Sequence, residues 1–141
     1  MKTGANLVIT VPNKKEIVYR LRRGNMSNDL YSIKPIHGLM QIIDSETEYE
    51  EKTLFKQAYL FELKDAINNC EEYLVDDRTL LSVFRAKNLV PIENFTAENY
   101  ARIHDRRNKN GIDLDQERRS LSDQEREVVD LYQIYVFRKV A

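Results

Sequence analysis

The chain has little of what marks a membrane-spanning, disulfide-bonded or loop-rich protein. Its 141 residues include one cysteine, three prolines, four glycines and no tryptophan. The single cysteine, Cys70, excludes an internal disulfide and indicates a reducing compartment, so we predict a cytoplasmic location. No apolar run approaches the ~20 residues of a membrane helix, and the first residues lack a signal-peptide pattern. We therefore expect one soluble domain over residues 1–141.

Charge is abundant, but it is unevenly distributed along the chain. The formal net charge is −1. Residues 1–40 carry seven Lys and Arg against two Asp and Glu, residues 41–77 carry three against eleven, and residues 78–141 carry twelve against ten. Such asymmetry is typical of a nucleic-acid or partner surface, or of two segments that face each other in the fold.

The first 24 residues alternate in the manner of a β-hairpin. Two runs of apolar residues have the period of a strand: Leu7, Ile9 and Val11, then Ile17, Tyr19 and Leu21. Pro12 and Asn13 between them are turn formers. We predict a hairpin over residues 1–24 that packs on the rest of the domain.

The following segments favour helices. Pro35 can open a short helix that carries Ile36, Leu39, Met40 and Ile43, and Ser45 with Glu48 forms a capping-box pattern. The strongest signal is an apolar stripe at helical spacing, which predicts a central helix with Cys70 buried: Phe55, Tyr59, Leu63, Ile67, Cys70 and Leu74.

The C-terminal half continues this pattern. Asp77 is predicted to cap a helix whose inward side carries Leu80, Leu81 and Phe84. Pro91 is predicted to lie in a connector. Thr96 is predicted to cap a further helix. Ser122 and Glu125 form a second capping box, and the segment after them is predicted as a helix, with a third strand as the alternative because "YQIYVFRKV" is rich in β-branched and aromatic residues. The predicted fold is α+β, an N-terminal β-hairpin packed on a bundle of four to five helices, with residues 45–141 mainly helical.

The stretch "RRNKNGIDLDQE", residues 106–117, resembles an EF-hand calcium loop over twelve residues. With Gly111 at the sixth position, Glu117 falls at the twelfth. Arg106, however, stands at the first position, where calcium needs a carboxylate, and Asp113 replaces the apolar eighth residue. We interpret the segment as a polar turn built on Asn-Gly.

Two further patterns support alternative functions. His104–Asp105, completed by His37 and Asp130, resembles the metal site of HD-type phosphohydrolases, in which imidazole and carboxylate hold a metal that activates water. The basic hairpin, with arginines on one face and Tyr19 or Tyr31 available for stacking, is the basis for weak nucleic-acid binding.

The function favoured by these patterns is non-catalytic. We predict a regulator, inhibitor or adaptor that binds another protein through charged patches, including the case of a viral inhibitor of a host or defence nuclease. We expect no enzymatic activity, catalytic residue, metal, cofactor or membrane contact. The predicted partner-binding residues are Lys14, Lys15, Arg20, Arg22, Arg23, Glu46, Glu48, Glu50 and Glu51.

Overall fold

The computed structural model describes residues 1–44, 57–96 and 120–141. These ranges contain, in order, β1 (Asn6–Pro12), α1 (Lys14–Arg23), β2 (Tyr31–Pro35), α2 (Leu39–Asp44), β3 (Ala58–Leu63), β4 (Ile67–Tyr73), α3 (Asp77–Arg85), β5 (Leu89–Thr96), α4 (Asp123–Asp130) and β6 (Tyr132–Lys139). The strands form two three-stranded antiparallel sheets. Sheet A has the order β1–β6–β5 and sheet B the order β2–β3–β4. The predicted hairpin on a helical bundle is therefore wrong.

The second strand of the predicted hairpin is helix α1. The side chain of Asn13 caps this helix by accepting a hydrogen bond from the backbone of the first turn (3.4 Å). Gly24 ends it in the left-handed conformation with φ 70°, which glycine adopts without a steric penalty. Ile17 and Leu21, one helical turn apart, are both buried. Residues 17 and 21 lie on one side of a strand and also on one side of a helix, so the apolar pattern fits both structures. The capping residues at the two ends of the segment favour the helix.

Strand β1 is confirmed, but its pairing partner comes from the far end of the chain. Leu7 lies opposite Phe137 and Val11 opposite Gln133 of β6. β6 is therefore the central strand of sheet A, with β1 and β5 on its two sides.

The C-terminal segment, predicted as a helix with a third strand as the alternative, contains both a helix and a strand. Ser122 and Glu125 form the expected capping box, with Ser122 Oγ accepting from the Glu125 N–H (3.2 Å) and Glu125 Oε2 from the Ser122 N–H (2.7 Å). The helix that they start, α4, ends at Asp130, and residues 132–139 form the alternative third strand rather than a continued helix.

The predicted central helix is the β3–β4 hairpin of sheet B. Tyr59 and Phe61 are buried with the period of a strand, and the tight turn before β4 places Asp65 at φ 61°, a conformation that aspartate tolerates. Residues four apart on a helix are also on one face of a strand, so the stripe fits both structures. Cys70, predicted to be buried, is exposed on β4.

Helix α3 forms one residue earlier than predicted. Asp76, not Asp77, is its cap, and its Oδ2 accepts a hydrogen bond from the Thr79 N–H (2.8 Å). The predicted inward side chains of the helix do pack against the core of sheet A: Leu80, Leu81 and Phe84. Pro91 lies within β5, beside a register shift, so the predicted connector is wrong. β5 is at an edge of sheet A within the described ranges, where a proline is tolerated.

The short helix predicted to open at Pro35 begins instead at Leu39, because Pro35 is the last residue of strand β2 rather than the first of a helix. The helix predicted from Ser45, the helix predicted after Thr96 and the polar turn at 106–117 lie outside the described residues.

Two hydrophobic clusters stabilise the described residues. The larger joins α1, α2 and sheet B, with Ile17, Leu39 and Phe61 among its most buried members, and the smaller joins α3 and sheet A around Tyr135 and Phe137. None of the helices in the described ranges has the length and apolar character needed to cross a membrane.

Candidate functional site

A carboxylate and two tyrosines meet between sheet B and the start of β6. Tyr59 of β3 and Glu72 of β4 are directly opposite each other in the antiparallel pair, so their side chains share one face of the sheet. The Tyr59 hydroxyl donates a hydrogen bond to Glu72 Oε2 (2.8 Å). Tyr132, the first residue of β6, packs edge-on against Phe61, with ring centroids 6.1 Å apart and planes at 83°.

These side chains surround a narrow cleft of about 150 Å³ that has no space for a water molecule and leaves almost none of its lining exposed. Its remaining lining is apolar: Ile17, Ile33, Phe61 and Leu131. Small-molecule sites usually enclose roughly 300–1,000 Å³, so this cleft encloses no ligand, and a bound group could contact only the part of Glu72 that is exposed at its rim. Tyr59 is 1% exposed at its base, whereas Glu72 and Tyr132 are half-buried.

Burial keeps both tyrosines in the protonated form. It raises the pKa of Tyr132 to about 12, and the negative charge of Glu72 adds to the effect. Burial and then Glu72 raise the pKa of Tyr59 further above its ordinary value. The two hydroxyls are therefore neutral at physiological pH, and the Glu72 carboxylate is the charged hydrogen-bond acceptor of the pocket.

This arrangement suits a planar ligand with two neighbouring N–H donors. A carboxylate offers two oxygens in one plane and can accept two parallel hydrogen bonds. An aromatic side chain beside it provides a surface for stacking. The apolar walls exclude water on one side, which strengthens such hydrogen bonds.

A larger cavity of about 560 Å³ lies at the turn end of sheet B and is lined by residues 28–32 and 62–68. One of its polar residues, Asn28, is bound within the fold. Asn28 Oδ1 accepts from the Leu30 N–H (2.7 Å), and Asn28 Nδ2 donates to Glu127 Oε2 (2.9 Å). The cleft at Glu72 is taken as the candidate site because it joins a half-buried carboxylate with aromatic side chains.

The five predicted partner-binding cations all lie on or at the start of α1, but two of them are bound within the fold. Lys14 forms an ion pair with Asp76 (3.2 Å), whose side chain is 3% exposed. Arg20 is buried and donates to Glu16 Oε1 (2.7 Å) and to the Tyr31 hydroxyl (2.9 Å). These two side chains have structural contacts.

The other three cations lie on the exposed side of the helix. Lys15, Arg22 and Arg23 are exposed, and the Arg23 guanidinium stacks over the half-exposed ring of Tyr19, 4.7 Å from its centroid. Their predicted role as partner-binding residues stays a prediction. The four predicted acidic residues lie outside the described ranges: Glu46, Glu48, Glu50 and Glu51.

The residues proposed for an HD-type metal site are only partly described. His37 lies in the turn before α2 with φ 53°, and Asp130 ends α4. His104 and Asp105 lie outside the described residues. In the described ranges, no group of three or more His, Cys, Asp or Glu side chains could hold a metal ion.

The sequence interpretation missed all three polar residues of the pocket. The sequence predicts Tyr59 in the apolar stripe of a helix and Tyr132 in a segment that is a helix or, alternatively, a third strand, and it does not single out Glu72. The available signal was the strand-like content of both segments, since "AYLFEL" and "YQIYVF" each alternate aromatic or aliphatic residues at period two.

Comparison with known families identifies one match. A family model described as mRNA (guanine-N(7))-methyltransferase domain matches residues 1–140. No curated protein matches the chain.

This match contradicts the predicted function. A methyltransferase domain indicates a catalytic role, so the prediction of a non-catalytic regulator, inhibitor or adaptor, including a viral nuclease inhibitor, is wrong. Both alternatives are wrong as well. The basic hairpin on which weak nucleic-acid binding depended is a strand and a helix, and methyl transfer is not metal-dependent phosphate hydrolysis. A protein partner is not supported, whereas an RNA substrate is implied by the family.

Proposed function

The chain belongs to the mRNA (guanine-N(7))-methyltransferase domain family, and we propose that its pocket at Glu72 binds the guanine base that accepts the methyl group. The observation that carries this proposal is the pairing of a half-buried carboxylate with two tyrosines in an apolar pocket. Single-stranded RNA bases are commonly bound by aromatic stacking together with hydrogen bonds to their Watson–Crick edge.

The Watson–Crick edge of guanine matches the Glu72 carboxylate. Guanine carries two neighbouring donors there, N1–H and the 2-amino group, and a carboxylate can accept one from each oxygen. Adenine has an acceptor at N1 and no 2-amino group, so it cannot make this pair. The ring of Tyr132, half-buried beside the carboxylate, is placed to contact the bound base.

Binding by this edge leaves the reacting atom accessible. N7 lies on the opposite, Hoogsteen edge of the purine and carries an in-plane lone pair. In methyl transfer this lone pair forms a bond to the methyl carbon while the bond from that carbon to the donor breaks and its electron pair leaves with the donor, so no general base has to remove a proton. The ring gains positive charge in the transition state, and a carboxylate already hydrogen-bonded to it stabilises that charge.

Methyl transfer also needs a methyl donor, and the described residues do not fit one. Every strand pair in the described ranges is antiparallel. Gly4, Gly24 and Gly38 are isolated in the sequence and form no glycine-rich loop. Nucleotide-type ligands are usually held by such a loop at the carboxyl ends of parallel strands. The described residues are therefore assigned the acceptor base and no step that involves the donor.

The RNA chain attached to the guanine needs contacts of its own. We propose that the exposed cations of α1, Lys15, Arg22 and Arg23, contribute to binding its phosphates. Their positive charge complements the phosphodiester backbone, and such contacts supply sequence-independent affinity.

The test is the binding of the capped dinucleotide GpppA to the Glu72→Gln variant, measured by isothermal titration calorimetry. Glutamine keeps the size of the side chain but replaces one acceptor oxygen by an N–H₂ group and removes the charge. A hydrogen bond to a charged group contributes roughly 1.5–3 kcal/mol, so we expect Kd to rise by about 10- to 100-fold. Methyl donor is not needed for this measurement.

The matched control is Glu71→Gln. Glu71 is the neighbouring carboxylate on β4, it is exposed, and it also accepts a hydrogen bond from a tyrosine hydroxyl, that of Tyr73 (2.7 Å). Its replacement should leave Kd unchanged. Equal Kd values for the wild type and Glu72→Gln would refute the proposed site.

A further inference from the structure

We propose that the exposed side of helix α1 binds a nucleobase of the RNA chain, which stacks on the ring of Tyr19. The proposal rests on the proposed function, in which RNA is the substrate, and deepens it. The cations of α1 contact the phosphates and Tyr19 contacts a base, so one side of one helix binds both parts of a nucleotide.

Helix α1 is a rigid support for such a contact, because its inner side is packed into the core. Ile17 and Leu21 are each 1% exposed and belong to the larger hydrophobic cluster. Tyr19 lies on the opposite side of the helix and is 51% exposed. A tyrosine has only two side-chain torsions, so ordering its ring around a ligand costs little conformational entropy.

Cations lie one helical turn before and one turn after Tyr19. Lys15 and Arg23 are four residues away on either side, and this spacing places the three exposed side chains along one stripe of the helix. The Arg23 guanidinium covers one face of the tyrosine ring, 4.7 Å from its centroid, and holds the ring by a cation–π contact. A base that stacks on the other face completes a stack of three layers.

The charge of α1 favours an anionic ligand on this side. Its one acidic residue, Glu16, accepts a hydrogen bond from the buried Arg20 (2.7 Å), so a cation within the fold balances its charge. The positive charges of Lys15 and Arg23 lie at the exposed side, where the phosphates that flank a stacked base can contact them. Proteins bind single-stranded nucleic acids by this combination of aromatic platforms and positive charge.

A second tyrosine of the same exposure shows why charge selects Tyr19. Tyr73 of β4 is also 51% exposed, but its hydroxyl donates to Glu71 Oε1 (2.7 Å), and Glu72 precedes it in the chain. These carboxylates repel the phosphates of an RNA that stacks on Tyr73. Tyr19 is therefore the better stacking site, and Tyr73 is its matched control.

The experiment uses tryptophan fluorescence, because the chain contains no tryptophan. Tyr19→Trp carries a single reporter at the proposed contact, and a base that stacks on the indole quenches its fluorescence. The probe is an uncapped oligouridylate of about 20 nucleotides, which presents no guanine to Glu72. We expect strong quenching in Tyr19→Trp and little quenching in the control, Tyr73→Trp, at the same RNA concentration.

Affinity measurements separate stacking from charge. Tyr19→Ala should raise Kd for the oligouridylate about 5- to 10-fold, which is the lower end of the effect of losing one base stack. Tyr19→Phe keeps the ring and should bind as the wild type does. The slope of log affinity against log salt concentration should stay unchanged in Tyr19→Ala, because a tyrosine releases no counterions from RNA. Kd for GpppA should also stay unchanged.

The outcomes separate this proposal from the guanine site. Unchanged Kd for the oligouridylate in Tyr19→Ala, or equal quenching in Tyr19→Trp and Tyr73→Trp, overturns stacking on Tyr19 and leaves the guanine site untouched. A reduced salt slope in Tyr19→Ala would show that the ring only positions Arg23, and it would also overturn the stacking role. Equal binding of GpppA by the wild type and Glu72→Gln overturns the guanine site alone.

Discussion

Replacing Glu16 by alanine should leave the guanidinium of Arg20 buried without its carboxylate partner. The Arg20 side chain is 4% exposed, and its Nε donates to Glu16 Oε1 at 2.7 Å. Burial opposes the charge of Arg20, but the hydrogen bonds to Glu16 and Tyr31 outweigh it and raise the pKa of the guanidinium. Arginine cannot neutralise itself by losing a proton. In Glu16→Ala the charge therefore remains, supported mainly by the Tyr31 hydroxyl at 2.9 Å.

The expected loss in the free energy of unfolding is about 2 to 3 kcal/mol. Breaking a fully buried ion pair costs roughly 3–5 kcal/mol, and the value here is lower because the Glu16 side chain is 31% exposed, so water reaches the gap. For a chain of this length we expect Tm to fall by about 10 °C. Urea unfolding followed by circular dichroism measures the free energy directly.

Arg20→Met should be less destabilising than Glu16→Ala, because it removes the buried charge and keeps an apolar side chain of similar length. The double variant should also be more stable than Glu16→Ala. Lys15→Ala, an exposed change on the same helix, is the control and should cost less than about 0.5 kcal/mol. Equal losses of unfolding free energy in Glu16→Ala and Lys15→Ala would show that Glu16→Ala does not leave a buried charge without a partner.

Two further predictions concern pH and salt. Because the pKa of Tyr132 is raised from 10.0 to about 12 in the folded state, its contribution to stability is present below pH 10 and is lost as pH rises from 10 to 12. Unfolding by urea at pH 8 to 12 should show this decline, and it should be shallower in Tyr132→Phe; identical profiles would contradict the assignment. For the proposed RNA contacts, Lys15→Ala with Arg23→Ala should reduce the slope of log affinity against log salt concentration by roughly 1.4 for a capped 20-nucleotide RNA. GpppA binding should not change, and an unaltered slope for the longer RNA would exclude both residues from phosphate binding.

The predictions that hold depend on interactions between residues close in sequence. The Ser122–Glu125 capping box starts α4 as expected, because its two hydrogen bonds join residues three apart. Strand β1 alternates over residues 7–11 and is a strand. The inward side of α3, at Leu80 and Phe84, follows from helical periodicity within nine residues.

The predictions that fail concern pairing between distant segments. The partner of β1 is β6, more than 120 residues later, and nothing within residues 1–24 identifies it. Without that partner, the nearest alternating run in the sequence is the obvious candidate for the second strand. In the predicted hairpin Arg20 is a surface cation, whereas on α1 its side chain is buried and contacts Glu16 one helical turn away.

The candidate site could not be predicted because strand pairing creates it. Tyr59 and Glu72 are thirteen residues apart, and in the predicted helix they would be about 20 Å apart along the axis. In the β3–β4 hairpin they are cross-strand partners, and their side chains are hydrogen-bonded at 2.8 Å. Tyr132 reaches the same pocket only because β6 begins beside sheet B after α4. A carboxylate that looks like one of many solvated acids in the sequence becomes, through this pairing, an oriented acceptor. The helix-or-strand assignment of residues 58–73 therefore decides whether the site exists, and the binding data for Glu72→Gln test that hairpin as directly as they test the chemistry.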